Sequence, residues 1–453
     1  MELFGTAGIR GDVRKLVTPE LAVAVGRAAG TEGDEFVVAR DGRTTGDGLA
    51  SAVAAGLTSA GADVVRVGQV PTPTLAYASR GRRGVMVTAS HNPPGDNGIK
   101  LFADGRAYDR EAEARVEERV AAEPDPAPFD EWGETSRAEV LSGYRDAVVD
   151  FARGHGAPLE GMPVAVDAGN GVTGLVAPQA LREVGADVTT LNANVDGHFP
   201  ARESKPSAES LGELRRFVAD GDDVVGFGHD GDGDRLVVVD ADGEVVHEDT
   251  VTAIIAEHCV ERSDAPDPVV LTTPNTSARI DERVAAAGGR VERVPLGTLH
   301  EGVTEIRRES DDGTEVALAT EPWKHLYPEF GVWLDAVTTT AVFARLVAES
   351  GLDDLRDPVT ERPYEKVNVD CADEAKEGAI ERLRDELPDH FPDATADLDY
   401  GVRLEFPDRS WVLVRPSGTE PYMRVYAESD DVEELLDSVE EVVEDAAADA
   451  GGR

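Results

Sequence analysis

Lysine is scarce in this chain. Six lysines stand beside 38 arginines, and together they face 90 Asp and Glu. The formal net charge is −46. Such a polyanion excludes nucleic acid as a partner, because a phosphate backbone attracts basic surfaces. Cysteine is nearly absent. Cys259 and Cys371 share no metal-ligand spacing, so a disulfide framework and a thiolate metal site are both excluded and buried free thiols are expected. No apolar run is long enough to span a bilayer, so no membrane partner is expected. Met1–Gly5 lacks the basic and apolar regions of a signal peptide, which makes the cytoplasm the expected location.

What is present is an ordinary core. Hydrophobic residues make up 41% of 453 positions, a length that suits three or four domains. The acidic residues are spread between apolar segments rather than gathered in a tail. That distribution suits a folded protein with a carboxylate surface adapted to high salt, where the Debye length shrinks to about 3 Å at 1 M. A halophile-like source is the expectation. In so acidic a chain, every basic residue inside a motif is informative.

One unit recurs three times: an apolar β-rich run, a polar turn, an amphipathic stretch, a glycine stop and a second strand. The first copy runs from Phe36–Ala39 through Asp41-Gly42-Arg43 to Gly61–Val65. The second runs from Val164–Val166 through Asp167–Gly171 to Gly185–Val188. The third runs from Val269–Leu271 through Thr272–Asn275 to Gly288–Val291. This is the βαβ pattern of a buried, mostly parallel sheet. The last ~95 residues differ, a length that suits one further domain. Strand-like runs at Val367–Val369 and Trp411–Val414 flank a charged helical stretch near Glu374–Leu387. A closing helix carries Val432, Leu435, Leu436, Val439, Val442 and Val443, with Asp430 as its expected N-cap. The fold class expected is therefore α/β: three related α/β domains with mixed, mostly parallel sheets, then a C-terminal α+β domain. Their expected spans are 1–138, 139–247, 248–357 and 358–453. Ala121–Asp130 and Arg356–Pro358 read as linkers.

Five motifs carry chemistry. In Val87–Lys100 an apolar strand runs into Thr88-Ala89-Ser90-His91-Asn92-Pro93, where an exposed Ser90 hydroxyl with His91, Asn92 and Lys100 beside it suits a phosphate carrier. A plain Ser/Thr turn closed by Pro93-Pro94 is the competing reading. In Asp230-Gly231-Asp232-Gly233-Asp234-Arg235, three alternating carboxylates can converge on one hard cation, and oxygen ligands favour Mg²⁺ over zinc. An EF-hand is excluded because Arg235 and Ala241 stand where Gly and Glu are required. Gly226-x-Gly228-x-x-Gly231 is no dinucleotide fingerprint, since a strand follows it. An acidic hairpin turn stays open. Arg415-Pro416-Ser417-Gly418-Thr419-Glu420-Pro421, with Arg424, reads as a phosphate cradle or a simple β-turn. Phe4–Gly11 offers glycines and Arg10. Thr320-Glu321-Pro322-Trp323-Lys324-His325 offers a carboxylate for sugar hydroxyls and an indole for a sugar face, or an ordinary loop.

In this order the five motifs resemble the α-D-phosphohexomutase superfamily, over nearly the whole chain from Phe4 to Arg424. The resemblance implies four domains around a central cleft. It implies that Ser90 is the phosphoserine and that Asp230, Asp232 and Asp234 bind Mg²⁺ with a phosphate oxygen on Ser90. It places Arg10, His91, Lys100, Arg235 and His325 among the catalytic residues, with Lys100 managing proton transfer. Gly297 and Glu321 become sugar contacts, and Arg415, Ser417, Gly418, Thr419 and Arg424 grip the non-reacting phosphate. The implied reaction interconverts hexose 1- and 6-phosphates through a sugar bisphosphate, which also serves as activator. The implied protein is a monomer or homodimer whose partner is its phosphosugar. The sugar loop departs from the family's usual Gly-Glu-x-Ser-Gly-His: Thr320, Trp323 and Lys324 replace Gly, Ser and Gly. The opening motif leans toward the phosphoglucosamine mutase branch. Glucose, mannose or pentose phosphates are alternatives. A phosphatase or kinase-like transferase would need an activated water or a nucleotide site, and the sequence has no Walker-type loop; a non-catalytic phosphosugar-binding protein is the remaining class.

Overall fold

The computed structural model describes residues 3–5, 8–222, 224–310, 313–417 and 420–451. Gly418 and Thr419 of the expected cradle lie outside the described residues, as do Thr6 and Ala7 of the opening motif.

Each expected βαβ unit is present. The run Glu35–Arg40 is buried along its apolar length and forms a parallel strand between Asp63–Gln69 and Arg83–Val87. Asp96–Ala103 then turns back antiparallel against Arg83–Val87. The second unit repeats this order. Pro163–Asp167 lies parallel between Asp187–Leu191 and Val225–His229, and Leu236–Val239 returns antiparallel. The third repeats it again, with Asp267–Thr272 between Arg290–Arg293 and Thr314–Glu321, and Lys324–Leu326 returning. Three short strands extend the first sheet. The last sheet is wholly antiparallel, in the order Tyr364–Asp370, Tyr422–Glu428, Trp411–Pro416, Val402–Glu405, Thr395–Asp397. Helices Lys376–His390 and Val432–Gly451 lie with it. The fold is the expected mixed α/β with mostly parallel sheets.

Apolar side chains explain the layering. Leu49, Val53 and Leu57 of helix Gly46–Ser59 are fully buried beside the first sheet. One continuous core then runs from Tyr144 to Val359, so the second and third sheets share buried neighbours. Helix Ala336–Ser350 follows the third sheet in sequence yet contacts helix Leu141–Arg153. The Tyr144 hydroxyl donates to Asp335 Oδ1 across that contact at 2.7 Å.

Local expectations shift by a residue or two. The closing helix begins at Val432, so the residue before it is Asp431, not Asp430. Ala121 and Ala122 still belong to helix Arg110–Ala122, and Arg356 ends helix Leu352–Arg356. Both cysteines are buried free thiols. Among the described residues no helix is long and apolar enough to cross a membrane.

Candidate active site

In each of the three repeats, the turn from the last parallel strand into the antiparallel one carries a sequence motif. Residues 88–95 carry Ser90, residues 230–235 carry the aspartates, and Pro322-Trp323 join Glu321 to Lys324. In the fourth sheet, the residues that join Trp411–Pro416 to Tyr422–Glu428 belong to the expected cradle motif. The turns of the three repeats follow the carboxyl ends of parallel strands, where α/β sheets present ligand sites.

Ser90 and the aspartates meet. The Ser90 hydroxyl donates to Asp230 Oδ2 at 2.6 Å and lies 3.2 Å from His91 Nδ1. Ser90 is buried and adopts φ 50°, a left-handed conformation that a residue with a Cβ rarely takes. A Cβ on Gly231 would come 2.8 Å from the Ser90 carbonyl oxygen, so the loops approach this closely only because residue 231 is glycine.

The carboxylates of Asp230, Asp232 and Asp234 offer oxygens within 4.8 Å of one another. Asp232 Oδ1 and Asp234 Oδ1 are buried with no hydrogen-bond partner among the described residues. Three buried carboxylates with orphaned oxygens fit a hard divalent cation. Burial, then the charges of Asp234 and Asp232, pushes the Asp230 carboxyl far above its ordinary range. Burial acts the same way on Asp232 and Asp234, but neighbouring cations outweigh it and hold both below theirs. Lys100 Nζ lies 3.0 Å from Asp232 Oδ2 and 3.5 Å from Asp234 Oδ2, and Thr72 Oγ1 donates to Asp232 Oδ2 at 2.7 Å. Lys324 Nζ stands 3.6 Å from Asp234 and 3.8 Å from Glu321. Burial, with Arg235 and Arg10 nearby, lowers the His91 ring to about 3.

Glu321 and Gly297 are also brought together, through a 2.7 Å hydrogen bond from the Gly297 amide. A cavity of about 160 Å³ opens beside Lys100, Asp234, Glu321 and Lys324. His325 is placed differently. It follows Lys324 on a strand whose side chains alternate, and its Nε2 lies 3.2 Å from Thr252 Oγ1. It is fully buried, and burial lowers its ring to about 3. Trp323, at φ 65°, has the Arg235 guanidinium 5.7 Å from its ring.

At the cradle, Arg415 and Arg424 are direct cross-strand partners. Arg415 Nε, Arg424 Nε and Ser417 Oγ are buried and have no hydrogen-bond partner among the described residues. Lys376 Nζ donates to the carbonyl oxygens of Ser417, at 2.7 Å, and Glu420, at 2.5 Å, bracing the turn.

Arg43 was not among the expected site residues, although Asp41-Gly42-Arg43 directly follows an apolar strand. Its guanidinium holds four carbonyls of the serine loop, those of Ser90, Asn92, Pro93 and Asp96, at 2.6–2.9 Å. Asp41 pairs with it at 3.1 Å and accepts from Thr88 Oγ1 at 2.7 Å. The second repeat has the same device. Arg202 pairs with Asp167 and donates to the His229 carbonyl just before the aspartate loop.

A repeated α/β sheet with a reactive motif on every closing turn, completed by an antiparallel sheet bearing an arginine cradle, defines the architecture of a sugar-phosphate mutase. Family models agree. Residues 1–126 match phosphoglucomutase/phosphomannomutase alpha/beta/alpha domain I, 143–243 match domain II, and 367–445 match the C-terminal domain. A phosphopentomutase from Thermococcus kodakarensis is 41% identical over 95% of this chain and 94% of its own. A protein named "Probable phosphoglucosamine mutase" from Methanopyrus kandleri is 38% identical over 97% of each chain. The crystal structure of a phosphoglucomutase/phosphomannomutase family protein from Burkholderia thailandensis matches with a TM-score of 0.83 at 26% identity, covering 98% of this chain and 97% of that one. The chain belongs to the phosphoglucomutase/phosphomannomutase family of the α-D-phosphohexomutase superfamily. It is an enzyme of the isomerase class, an intramolecular phosphotransferase.

Proposed function

We propose that the protein interconverts the 1-phosphate and the terminal phosphate of a short sugar, a pentose, through phospho-Ser90 and a sugar bisphosphate. The observation that carries the mechanism is the 2.6 Å contact of Ser90 Oγ with Asp230 beside the orphaned oxygens of Asp232 and Asp234. Asp230, Asp232, Asp234 and a phosphate oxygen on Ser90 would hold Mg²⁺, which when bound neutralises charge on the transferring group. In the first transfer the Oγ–P bond of phospho-Ser90 breaks, and a bond forms from phosphorus to the free sugar hydroxyl. Ser90 Oγ needs a proton as its bond to phosphorus breaks and the sugar hydroxyl loses one, so the Lys100 ammonium relays it, giving a proton to Oγ as it takes the hydroxyl's. His91, Arg235 and Arg10 surround the same phosphoryl group, and the two arginines add positive charge there. The bisphosphate turns over, and the other phosphate returns to Ser90. Arg415, Ser417, Gly418, Thr419 and Arg424 grip whichever phosphate is distal. His325, behind the sugar turn, acts by positioning it. The segments 1–138, 139–247, 248–357 and 358–453 are the four bodies of the cleft, and the added activator is the sugar bisphosphate.

Lys324 supports a pentose. Its ammonium reaches between Glu321 and Asp234 from a position where the family's loop carries glycine, so it would take room from a longer sugar and would repel a nearby glucosamine ammonium. The 41% identical phosphopentomutase agrees with that reading. The test is ³¹P NMR of 1-phosphate to terminal-phosphate conversion for ribose, glucosamine, glucose and mannose, with Mg²⁺. Ribose should turn over fastest; turnover of glucosamine alone would remove the pentose and leave the mutase. Sustained activity of Ser90→Ala would sink the phosphoserine mechanism itself.

A further inference from the structure

Of the six lysines, three near the site are fully engaged. Lys100 and Lys324 sit on carboxylates, and Lys376 braces the cradle turn. Lys205 and Lys366 are different. Among the described residues neither Nζ makes an ion pair or donates a hydrogen bond, in a chain with 90 acidic residues. Each lies instead over an aromatic ring that already has an arginine from the site beside it. Lys205 Nζ is 5.9 Å from the Trp323 ring, which also has Arg235 at 5.7 Å. Lys366 Nζ is 5.4 Å from the Tyr426 ring, which also has Arg415 at 5.5 Å.

Cations and rings follow one another in two sets, Arg235, Trp323 and Lys205 from the aspartate loop, and Arg415, Tyr426 and Lys366 from the cradle, and the Lys205 charge acts on Lys366 between them. Burial lowers the Lys366 ammonium from its ordinary value, and the charges of Arg424, Arg415 and Lys205 act in the same direction against Tyr426. Like charges that act on one another cost stability, and an anion bound between them relieves that cost. The aspartate loop and the cradle already have assigned phosphates. The middle does not.

We propose that Lys205 and Lys366 form a transit station for phosphate, which holds the sugar bisphosphate while its two phosphates exchange ends and keeps it from escaping. The proposal rests on the mutase reading above. A doubly phosphorylated sugar leaving both ends at once would face a strongly anionic protein. Two unpaired ammoniums on the path supply the counter-charge, and the rings give the sugar a face to slide on.

The experiment uses the full-length phosphorylated enzyme with ribose 5-phosphate, and with glucose 6-phosphate as the six-carbon probe. Released bisphosphate per turnover is read by ³¹P NMR in the parent, in Lys205→Ala, Lys366→Ala and the double variant, and in Lys205→Arg/Lys366→Arg. The double alanine variant should release about tenfold more bisphosphate, the loss expected for charge-assisted contacts. Its turnover should then depend on added ribose 1,5-bisphosphate or glucose 1,6-bisphosphate, and the arginine pair should restore retention. The proposal is overturned if the double alanine variant retains bisphosphate like the parent. It is equally overturned if lost turnover is not recovered at saturating bisphosphate, since that would mark a structural or substrate-docking role. A parent that forms no bisphosphate from phospho-Ser90 would overturn the mutase reading and this proposal with it.

Discussion

Arg43 does at the scale of one residue what no local turn preference could. Ser90 sits in an unfavourable backbone conformation, and the guanidinium of Arg43 secures the loop by four carbonyls at once. Its partner Asp41 is fully buried, and burial pushes that carboxyl up to about 6 even with Arg43 opposing. Arg43→Met removes the loop clamp and leaves Asp41 unpaired, so it should destabilise the protein by about 3–5 kcal/mol. Urea denaturation measures this, and adding Asp41→Asn should recover part of the loss. An Arg43→Met protein as stable as the parent would refute the clamp. His155 gives a second residue-scale prediction. Its Nδ1 lies 3.0 Å from His258 Nε2, with the Phe151 and Tyr327 rings alongside. Burial, then Arg262, His258 and Arg345, lowers it from 6.5 to about 3. Between those values the unfolded chain binds a proton that the folded chain refuses. This contribution is therefore complete above about pH 6.5 and is lost as pH falls toward about 3. Buried carboxyls with raised values, such as Asp41, act with the opposite sign, so the comparison must be between variants. Denaturation midpoints of His155→Gln should fall less steeply than those of the parent across that window.

At the scale of elements, the antiparallel pair Trp411–Pro416 and Tyr422–Glu428 carries a conflict. Its register sets Arg415 directly opposite Arg424, and like charges across a ladder are unfavourable. Among the described residues the partners of Arg424 are neutral hydroxyls, Tyr422 at 3.5 Å and Tyr426. Arg424→Gln should therefore leave the ligand-free protein as stable or more so, by up to about 1 kcal/mol. The same change should raise KM for the sugar phosphate. Thermal melts with and without inorganic phosphate separate the two effects: phosphate should raise the melting temperature of the parent more than that of the variant. A variant that melts lower and still gains as much from phosphate would show that the pairing is structural. Elements also explain why the sugar turn reads differently in sequence and in space. Glu321 and Lys324 are cross-strand partners, as are Thr320 and His325, so alternate side chains leave on opposite faces. Spacing along the chain groups Glu321 with His325, whereas the hairpin groups Glu321 with Lys324.

At the scale of the whole molecule, charge dominates. A net −46 over one folded chain implies self-repulsion that added salt screens. The melting temperature should climb by several degrees or more as KCl rises from about 0.1 M to about 2 M, where the Debye length falls to a few ångströms. A flat or falling profile would remove salt adaptation as the reason for the composition. Interfaces between the sheets are partly ionic. Glu428 of the last sheet accepts from Ser277 at 2.7 Å and pairs with Arg279 at 3.3 Å. These groups are buried, so salt screens them much less than the surface.

The sequence by itself determined the repeat, because each βαβ unit is written in contiguous residues: an apolar run, a turn, a helical period and a glycine stop. It also determined the three strongest motifs, since the serine loop, the aspartate triplet and the arginine cradle each sit within one turn. The tertiary structure decided which residues those motifs meet. Thr72 on Asp232, Arg43 on the serine loop, Arg202 before the aspartate loop and Lys205 over Trp323 are contacts across 27 to 160 positions. No local pattern encodes such pairings; Arg43 and Arg202 meet their loops when their own sheets form, and Thr72 and Lys205 meet Asp232 and Trp323 when neighbouring sheets pack together. The Ser90 loop was legible as a candidate phosphate carrier because its motif is local, and the proposed role of Ser90 rests on the aspartate that the fold brings to it. Lys324 was legible only as a departure from a family pattern, and its ion pairs with Asp234 and Glu321 follow from where the hairpin puts its ammonium.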